Sequence, residues 1–501
     1  MPKSLPIFYS ALLLTGVNLL LRLVGTTFQV YLSAALGAAG IGLLQLTMSV
    51  GSLAMVAGMA GVRTASMYLT AEQLGRRKPG NVTWVLSGCF LYSIVFSGLS
   101  GGCLYVFAPQ IAQHWIGDLR TIPALRLFAG FLPISCLCGV MTGYFTASNR
   151  IGTLAAVEVV EQLCSMAVTM GALSLWAGND PGRACQCVIL GGCLGNLLTL
   201  SALIVLRLKE HPPRAPRISV QQPLIRTAVP LALADVLKSG INTTENLMVP
   251  RRLGLNVSIA DPLAAFGCLS GMVFPVLMFP ACILFGLAEL LIPELARCAA
   301  ADSRGRISYL VQRSLKVAML YGMVFSGLMF LLAEPLCQAL YHNSEAGQTL
   351  RLYAIMVPML YCDSITDAMT KGLGQQTACV RYNITTSALD VILLFFLLPE
   401  YGMQGYFFSF LITHLINFTL SLRRLLTITR LQLSFSVPAL SAAGAIAAVW
   451  GAGHFSHPVL KAAGYLGLLV SLLSLFQVIG REDIQWVKGL IAGNFPRKAK
   501  K

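Results

Sequence analysis

The sequence predicts an all-α polytopic membrane protein. Of its 501 residues, 56% are hydrophobic and only 11% are charged, whereas soluble domains carry about 25% charged residues. The mean hydropathy is correspondingly high, at +0.73. Apolar runs follow one another along the whole chain, and many of them reach the length of about 20 residues that a helix needs to cross a bilayer.

These runs predict about 14 transmembrane helices at that length. We expect a six-helix N-terminal lobe at residues 1–206 and a six-helix C-terminal lobe at 223–430. Prolines and charges in KEHPPRAPR mark a cytoplasmic linker at 207–222, and an extra helix pair with a basic tail occupies 431–501. The predicted spans are 5–36, 41–69, 82–107, 122–146, 154–176, 184–206, 223–249, 263–291, 308–332, 350–370, 379–398, 405–422, 437–450 and 460–479.

The net charge of +16 lies mainly in short segments between the apolar runs, which is the positive-inside pattern of membrane proteins. We therefore expect both termini in the cytoplasm and the chain in the plasma membrane. Arg251 and Arg252 are exceptions, since they fall on the outer side. No basic face with interleaved aromatic residues is present, which argues against a nucleic-acid partner. We expect a monomer.

Arg22 lies in the middle of the first predicted span, within NLLLRLVGTTFQVYLSAALGAAGIGLLQL at 18–46. An arginine inside the membrane is costly unless it faces a wet cavity or a partner. We therefore expect Arg22 to face a central aqueous cavity and to bind an anionic group. Arg63, late in the second span, either faces the same cavity or extends its side chain to the inner surface.

The seventh predicted span carries a polar stripe. Its residues recur every three to four positions, which places them on one helical face, and such a stripe should face the bundle interior or water. The members are Asp235, Lys238, Asn242 and Glu245. The alternative is an Asp235–Lys238 ion pair that only neutralises the helix, but this pair would not explain the other two residues.

Further acidic residues are candidates for binding a cation. Asp363 and Asp367 lie one turn apart on the tenth span, and Asp390 lies on the eleventh. Carboxylates with nearby amide and hydroxyl oxygens can hold a hard cation, so we expect a sodium or proton site there. The nearby oxygens belong to Asn383, Thr385 and Thr386. Glu158 and Glu161 share a face of the fifth span, where they pair with an arginine, bind a cation or lie at the inner surface.

Two common catalytic patterns are missing from the sequence. It contains no phosphate-binding loop and no zinc-protease motif, and we expect neither an enzyme nor a resident cofactor. The 14 cysteines lie mostly inside apolar runs. Cys185 and Cys187 have no partner pair at metal-ligand spacing, so we expect no metal centre.

Several segments resemble the stage V sporulation protein B and polysaccharide exporter branch of the multidrug/oligosaccharidyl-lipid/polysaccharide (MOP) flippase superfamily, which is related to lipid II flippases. That branch has Arg-x-x-Gly in its first span and a Leu-Gly-Ala turn before Gly-x-Gly-Leu, as in RLVGTTFQVYLSAALGAAGIGLLQL at 22–46. MVPRRLG at 248–254 and LSGMVFPVLMFPACILFGLAELLIPELA at 269–296 are similar to segments after its seventh span and in its eighth. Ala38 and Ala39 stand where the family usually has an acidic residue.

The resemblance implies alternating access of two six-helix lobes around a V-shaped cavity. In lipid II flippase members, arginines grip the diphosphate and a cation site in the second lobe couples the cycle. Arg22 matches the first-span arginine, and Asp235 is a loose counterpart of the cation-site acid. We therefore expect a flippase for a polyprenyl-diphosphate-linked oligosaccharide or peptidoglycan precursor, working within the lipid bilayer in cell-wall or spore-cortex synthesis.

In this interpretation, one group of residues binds the substrate and a second couples transport to sodium or protons. The expected substrate-binding residues are Arg22, Arg63, Lys238, Asn242 and Glu245, and the expected coupling residues are Asp235, Asp363, Asp367 and Asp390. Three alternatives stay open. A multidrug and toxin extrusion antiporter should have an acidic cavity, a non-transporting scaffold for cell-wall enzymes should tolerate loss of Arg22, and a membrane glycosyltransferase should carry an acidic motif in a sizeable loop.

Overall fold

The computed structural model describes residues 7–76, 78–148, 150–178, 180–209, 220–431, 436–478 and 480, and its regular elements are all helical. Residues 210–219 of the predicted linker and the tail from 481 lie outside the described part. The helices are α1 (Ile7–Met59), α2 (Val62–Gly75), α3 (Asn81–Gln110), α4 (Ile122–Ala147), α5 (Ile151–Ala172), α6 (Pro181–Leu208), α7 (Gln221–Leu253), α8 (Pro262–Gly267), α9 (Phe274–Met278), α10 (Ala281–Ala300), α11 (Arg304–Tyr341), α12 (Ser344–Ala354), α13 (Val357–Gly372), α14 (Gln376–Thr429), α15 (Ser436–Gly453) and α16 (Pro458–Leu475).

The all-α membrane fold is confirmed. In the described part of the chain, nine helical stretches are long and apolar enough to cross a membrane, or ten if the bent pair Pro262–Met278 and Ala281–Ala300 forms one span. Two of the nine, Leu20–Gly75 and Gln376–Thr429, contain 56 and 54 residues, more than twice the length of about 20 that one span needs. The total of 14 spans stays a prediction, because α7 and α13 are not among the helices that qualify.

Glycines divide the two longest helices. Gly37 interrupts α1 with φ 69°, and Gly402 interrupts α14 with φ 56°. Glycine adopts positive φ at little cost because it has no Cβ atom. These two turns separate the predicted first span from the second and the eleventh from the twelfth.

The chain forms two compact units. The amino-terminal unit comprises Leu12–Val17 and Ala35–Gly267. In it, α4 packs against α2, α3 and α6, and α7 lies beside α2. Its buried core includes Val62, Cys89, Met141 and Phe145.

The carboxy-terminal unit comprises Met1–Ala11, Asn18–Ala34 and Cys268–Lys501. In it, α13 packs against α10, α11 and α14. The last two helices, α15 and α16, pack on each other and on α11. The buried Tyr465 of α16 fastens this contact by donating a hydrogen bond of 2.7 Å to the carbonyl of Met323. The two lobes expected at 1–206 and 223–430 stay a prediction.

Candidate functional site

Arg22 projects from α1 within the carboxy-terminal unit, and its side chain is exposed. Its guanidinium carbon lies 4.4 Å from the centroid of the Phe285 ring on α10. A cation over an aromatic face is attracted by the ring quadrupole, so this contact orients the guanidinium without neutralising its charge. Within the described residues, Arg22 forms no ion pair with a carboxylate.

Two further residues of α1 attach the same helix face to the same part of the chain. Gln29 and Ser33 donate side-chain hydrogen bonds of 3.4 and 3.3 Å to the carbonyl of Gly271. Gly271 lies in a π-helical turn at Cys268–Val273, and such turns occur frequently at functional sites. Sequence reasoning missed Gln29 and Ser33, although their positions seven and eleven residues after Arg22 are the signal for one helical face.

A break in the helical path precedes α10, the helix that carries Phe285, and two tyrosines donate hydrogen bonds at this break. The stretches Pro262–Met278 and Ala281–Ala300 meet at 61°. The hydroxyl of Tyr361 donates to the carbonyl of Leu277 at 2.9 Å, and that of Tyr321 donates to the carbonyl of Pro280 at 2.8 Å. Pro280 has no N–H and interrupts the helical ladder at this break, and the two tyrosine hydroxyls add side-chain hydrogen bonds to carbonyls at the break.

The polar stripe of α7 lies on an accessible face of the amino-terminal unit. Asp235, Lys238 and Asn242 are exposed, and Glu245 is half-buried. No salt bridge joins Asp235 to Lys238 in the described structure, so the alternative of a simple neutralising pair is not the arrangement observed. Two neighbouring residues hold the helix instead, since Thr243 donates to the carbonyl of Ser49 at 3.1 Å and Asn246 donates to its hydroxyl at 2.8 Å.

Arg63 belongs to the amino-terminal unit, where it is exposed in the first turn of α2. It lies within electrostatic range of Glu158 on α5. Glu161, one turn further along α5, packs against Gly195 of α6. Of the alternatives for these two glutamates, the structure therefore brings Glu158 towards an arginine, and that arginine is Arg63.

The carboxylate of Asp390 is buried in the carboxy-terminal unit, with 6% of the residue exposed. Ser409 donates to its Oδ1 at 2.6 Å, and Thr413 lies 3.2 Å from the same oxygen. Both hydroxyls come from the second half of α14, which returns past the first half after the turn at Gly402. A buried charge is costly unless it is paired and hydrogen-bonded. These two hydroxyls are therefore the groups that can stabilise the ionised carboxylate of Asp390.

Asp363 of α13 contacts the same face of α14. Asn417 donates to both of its carboxylate oxygens, at 3.4 and 3.2 Å, and the Oδ1 atom of this asparagine is buried with no hydrogen-bond partner. Asn417 follows Thr413 by one turn, about 6 Å along the helix. Asp390 and Asp363 are therefore held by successive turns of one helix, and the unpartnered Oδ1 atom of Asn417 is a suitable ligand for a hard cation.

The remaining acidic candidate is already paired. Asp367 forms a salt bridge of 2.5 Å with Lys371, one turn later on α13. Of the oxygens expected from the sequence, those of Thr385 and Thr386 belong to hydroxyls that donate to carbonyls of their own helix, and their part in a cation site stays a prediction. Sequence reasoning missed the actual donors, although their spacing of four marks one helical face. These donors are Ser409, Thr413 and Asn417.

The fold is similar to the folds of solved membrane transporters. It matches the structure of the lipid II flippase MurJ in an inward closed conformation with a TM-score of 0.67 and 14% identity, over 93% of this chain and 98% of that one. It also matches an inward-facing multidrug resistance MATE family transporter of the MOP superfamily with a TM-score of 0.63 and 12% identity, over 83% and 100% of the two chains.

In sequence, the chain is similar to stage V sporulation protein B of Bacillus subtilis (strain 168). The two are 21% identical over 410 residues, which cover 79% of this chain and 78% of that protein. No family model matches the chain. The resemblance expected from the motifs is therefore confirmed.

Proposed function

We propose that this protein moves a polyprenyl-diphosphate-linked oligosaccharide or peptidoglycan precursor across the bacterial plasma membrane by alternating access, with both termini in the cytoplasm. The observation that carries the proposal is Arg22, an exposed arginine in a candidate membrane span that has an aromatic partner and no carboxylate partner among the described residues. MurJ, which has the same fold, is described as a lipid II flippase.

The chemistry of Arg22 suits a diphosphate. A guanidinium group stays charged and can bind two phosphate oxygens side by side. Because Phe285 covers one face of the group at 4.4 Å, the N–H edges stay available to a ligand. We assign Arg63 and Lys238 lesser contacts with the phosphates, and Asn242 and Glu245 contacts with the sugar.

We assign coupling to a sodium ion or proton at the acidic cluster of the carboxy-terminal unit. Asp390 and Asp363 are the principal acids, because each is held by neutral donors only. Asp367 has a smaller part, since Lys371 already balances its charge. Asp235 remains a candidate through its match to the acid of the family's cation site.

The test is translocation of a fluorescent polyprenyl-diphosphate sugar in proteoliposomes, with and without a sodium gradient. We expect the wild type to flip the lipid and Arg22→Ala to lose at least about tenfold in rate, since charge-assisted hydrogen bonds to phosphate are lost. The matched control is Arg126→Ala, which removes another exposed arginine that lies over an aromatic ring, 5.2 Å from the centroid of Tyr105. Equal rates in wild type and Arg22→Ala would contradict the proposal.

A cation antiporter is the second candidate, and the buried carboxylate of Asp390 together with the half-buried carboxylate of Asp363 is the observation that favours it. It predicts that proteoliposomes exchange an organic cation for sodium or protons and that Asp363→Asn abolishes this exchange. Under this alternative, Arg22→Ala would leave transport unchanged or increase it, because a positive charge in the cavity repels a cationic substrate.

A further inference from the structure

A groove of about 630 Å³ lies between α3 and the beginning of α7, entirely within the amino-terminal unit. Its walls are mainly apolar and run along three turns of α3. Leu91 and Val95 on α3 and Ile225 on α7 line it with exposed fractions of 60%, 57% and 53%. Exposed side chains of this size around a concavity are characteristic of a surface that another apolar group covers.

One end of the groove is polar, and an arginine lies next to that end. Ser87 lines it, and one turn before Ser87 on α3, Thr83 accepts a hydrogen bond of 3.5 Å from Arg207 Nη2 at the end of α6. The Arg207 guanidinium also lies 4.8 Å from the centroid of the Tyr144 ring. Lys78 and Lys209 belong to the segments that precede α3 and follow α6. Trp84, an aromatic of the type enriched at membrane interfaces, lines the groove near the same end.

We propose that this groove is a binding site for one anionic glycerophospholipid, with an acyl chain along Leu91 and Val95 and the phosphate at Arg207. The occupant follows from the two ends of the groove, since an acyl chain matches the apolar walls and a lipid phosphate matches the cations. Basic pockets between transmembrane helices on the cytoplasmic side are known sites for anionic lipid head groups. The proposal uses the orientation argued from the positive-inside pattern and is independent of which substrate the protein moves.

A lipid in this groove would connect helices on both sides of the segment 210–219. Arg207 lies at the end of α6, and Val220 and Ile225, which line the groove, lie at the beginning of α7. The bound lipid would therefore stabilise the packing of α7 on α3. We expect thermal stability in detergent to rise when phosphatidylglycerol is added and to respond less to phosphatidylethanolamine.

The experiment counts lipids retained by the full chain in native mass spectrometry, after reconstitution with equal amounts of phosphatidylglycerol and phosphatidylethanolamine. Gly88→Leu should fill the groove, because the Cβ position at residue 88 faces Val220 at 3.4 Å. Arg207→Gln should remove the charge. We expect the wild type to retain one phosphatidylglycerol and Arg207→Gln to bind it about tenfold more weakly, as for loss of a hydrogen bond to a charged group. Gly88→Leu should retain less of this lipid because its side chain occupies the groove.

Two matched controls separate this site from general effects on the membrane surface. Gly98→Leu places the same side chain on the same helix, at a position with nothing within 4 Å of the Cβ, and Arg126→Gln removes an exposed arginine that also lies over a tyrosine ring. Both controls should retain the lipid. Equal retention of the two lipids by the wild type, or equal loss in the controls, would overturn the proposal.

A second experiment measures quenching of the tryptophan fluorescence of the wild-type protein. Phosphatidylglycerol with brominated acyl chains should quench the fluorescence of Trp84 at mole fractions at which the brominated phosphatidylethanolamine does not, and Trp84→Phe should remove this selective component. Absence of selective quenching would contradict the site. If a polyprenyl-diphosphate sugar displaced the retained phosphatidylglycerol one for one, the groove would belong to the transported lipid, and the proposal would be wrong even if translocation itself were observed.

Discussion

The replacement of Asp390 by asparagine is the most direct test of cation binding, because it removes the charge and preserves the size of the side chain. In the wild type, Ser409 donates to the carboxylate at 2.6 Å. Thr413 has a single hydroxyl proton, and the carbonyl of Ser409 at 2.9 Å competes for it with Asp390 at 3.2 Å. The carboxylate therefore has one firm donor.

The size of the effect follows from this shortage of donors. Hydrogen bonds to charged groups contribute about 1.5–3 kcal/mol each, whereas burial of an ionised carboxylate costs several kcal/mol unless it is paired. With one firm donor and 6% exposure, Asp390 leaves a deficit that a bound cation can remove. A cation at 100 times its dissociation constant stabilises the folded state by about 2.7 kcal/mol.

The assay is thermal unfolding in detergent, with sodium chloride compared with choline chloride at equal ionic strength. Sodium should raise the melting temperature of the wild type, and Asp390→Asn should abolish this increase without lowering stability in choline. The matched control is Asp367→Asn, whose carboxylate is paired with Lys371 at 2.5 Å, so that variant should lose stability in both salts and keep most of the sodium response. An unchanged sodium response in Asp390→Asn would refute the reasoning.

Two other predictions concern stability. Gly267→Ala should prevent normal folding because its Cβ would collide with the carbonyl of Ala38. Gly98→Ala should be neutral because nothing lies within 4 Å of its Cβ. Size-exclusion chromatography of the two variants measures this difference. The Arg120 guanidinium holds the pKa of Asp118 below its usual range. The pair should therefore contribute stability above the unfolded-state pKa and lose it as pH falls through the lower folded-state pKa. Thermal unfolding followed from neutral pH into the acidic range should show a smaller loss of stability for Asp118→Asn.

The class of fold could be predicted from the sequence because hydropathy acts locally. Each apolar run reveals a span without reference to its neighbours, and Arg22 is conspicuous because its charge lies within such a run. The partners of a polar residue are different, since they depend on tertiary contacts. Ser409 lies 19 residues after Asp390, and only the turn at Gly402 brings the two together. Their shared spacing with Asn417 predicts a polar face, but it does not indicate which carboxylate that face contacts.

The same limit applies to the groove between α3 and α7. Leu91 and Ile225 are 134 positions apart in sequence, and each is an ordinary apolar residue of a membrane helix. No pattern along the chain distinguishes a leucine that lines a groove from one on a flat lipid-facing surface. The sequence contains the positive charge of Arg207 but does not distinguish it from other charges of the positive-inside pattern. The structure places this arginine against Thr83.

Within the carboxy-terminal unit, exposure separates two kinds of charge. Arg22 is exposed and lies on an aromatic ring, so a large anionic group can reach it. Asp390 is buried behind hydroxyl groups, so an organic cation of drug size does not fit around its carboxylate without displacing α14. A small inorganic cation or a proton needs only the oxygens already present. This division by size favours an anionic substrate with a small coupling cation over the reverse assignment, and it does so independently of the sequence relatives.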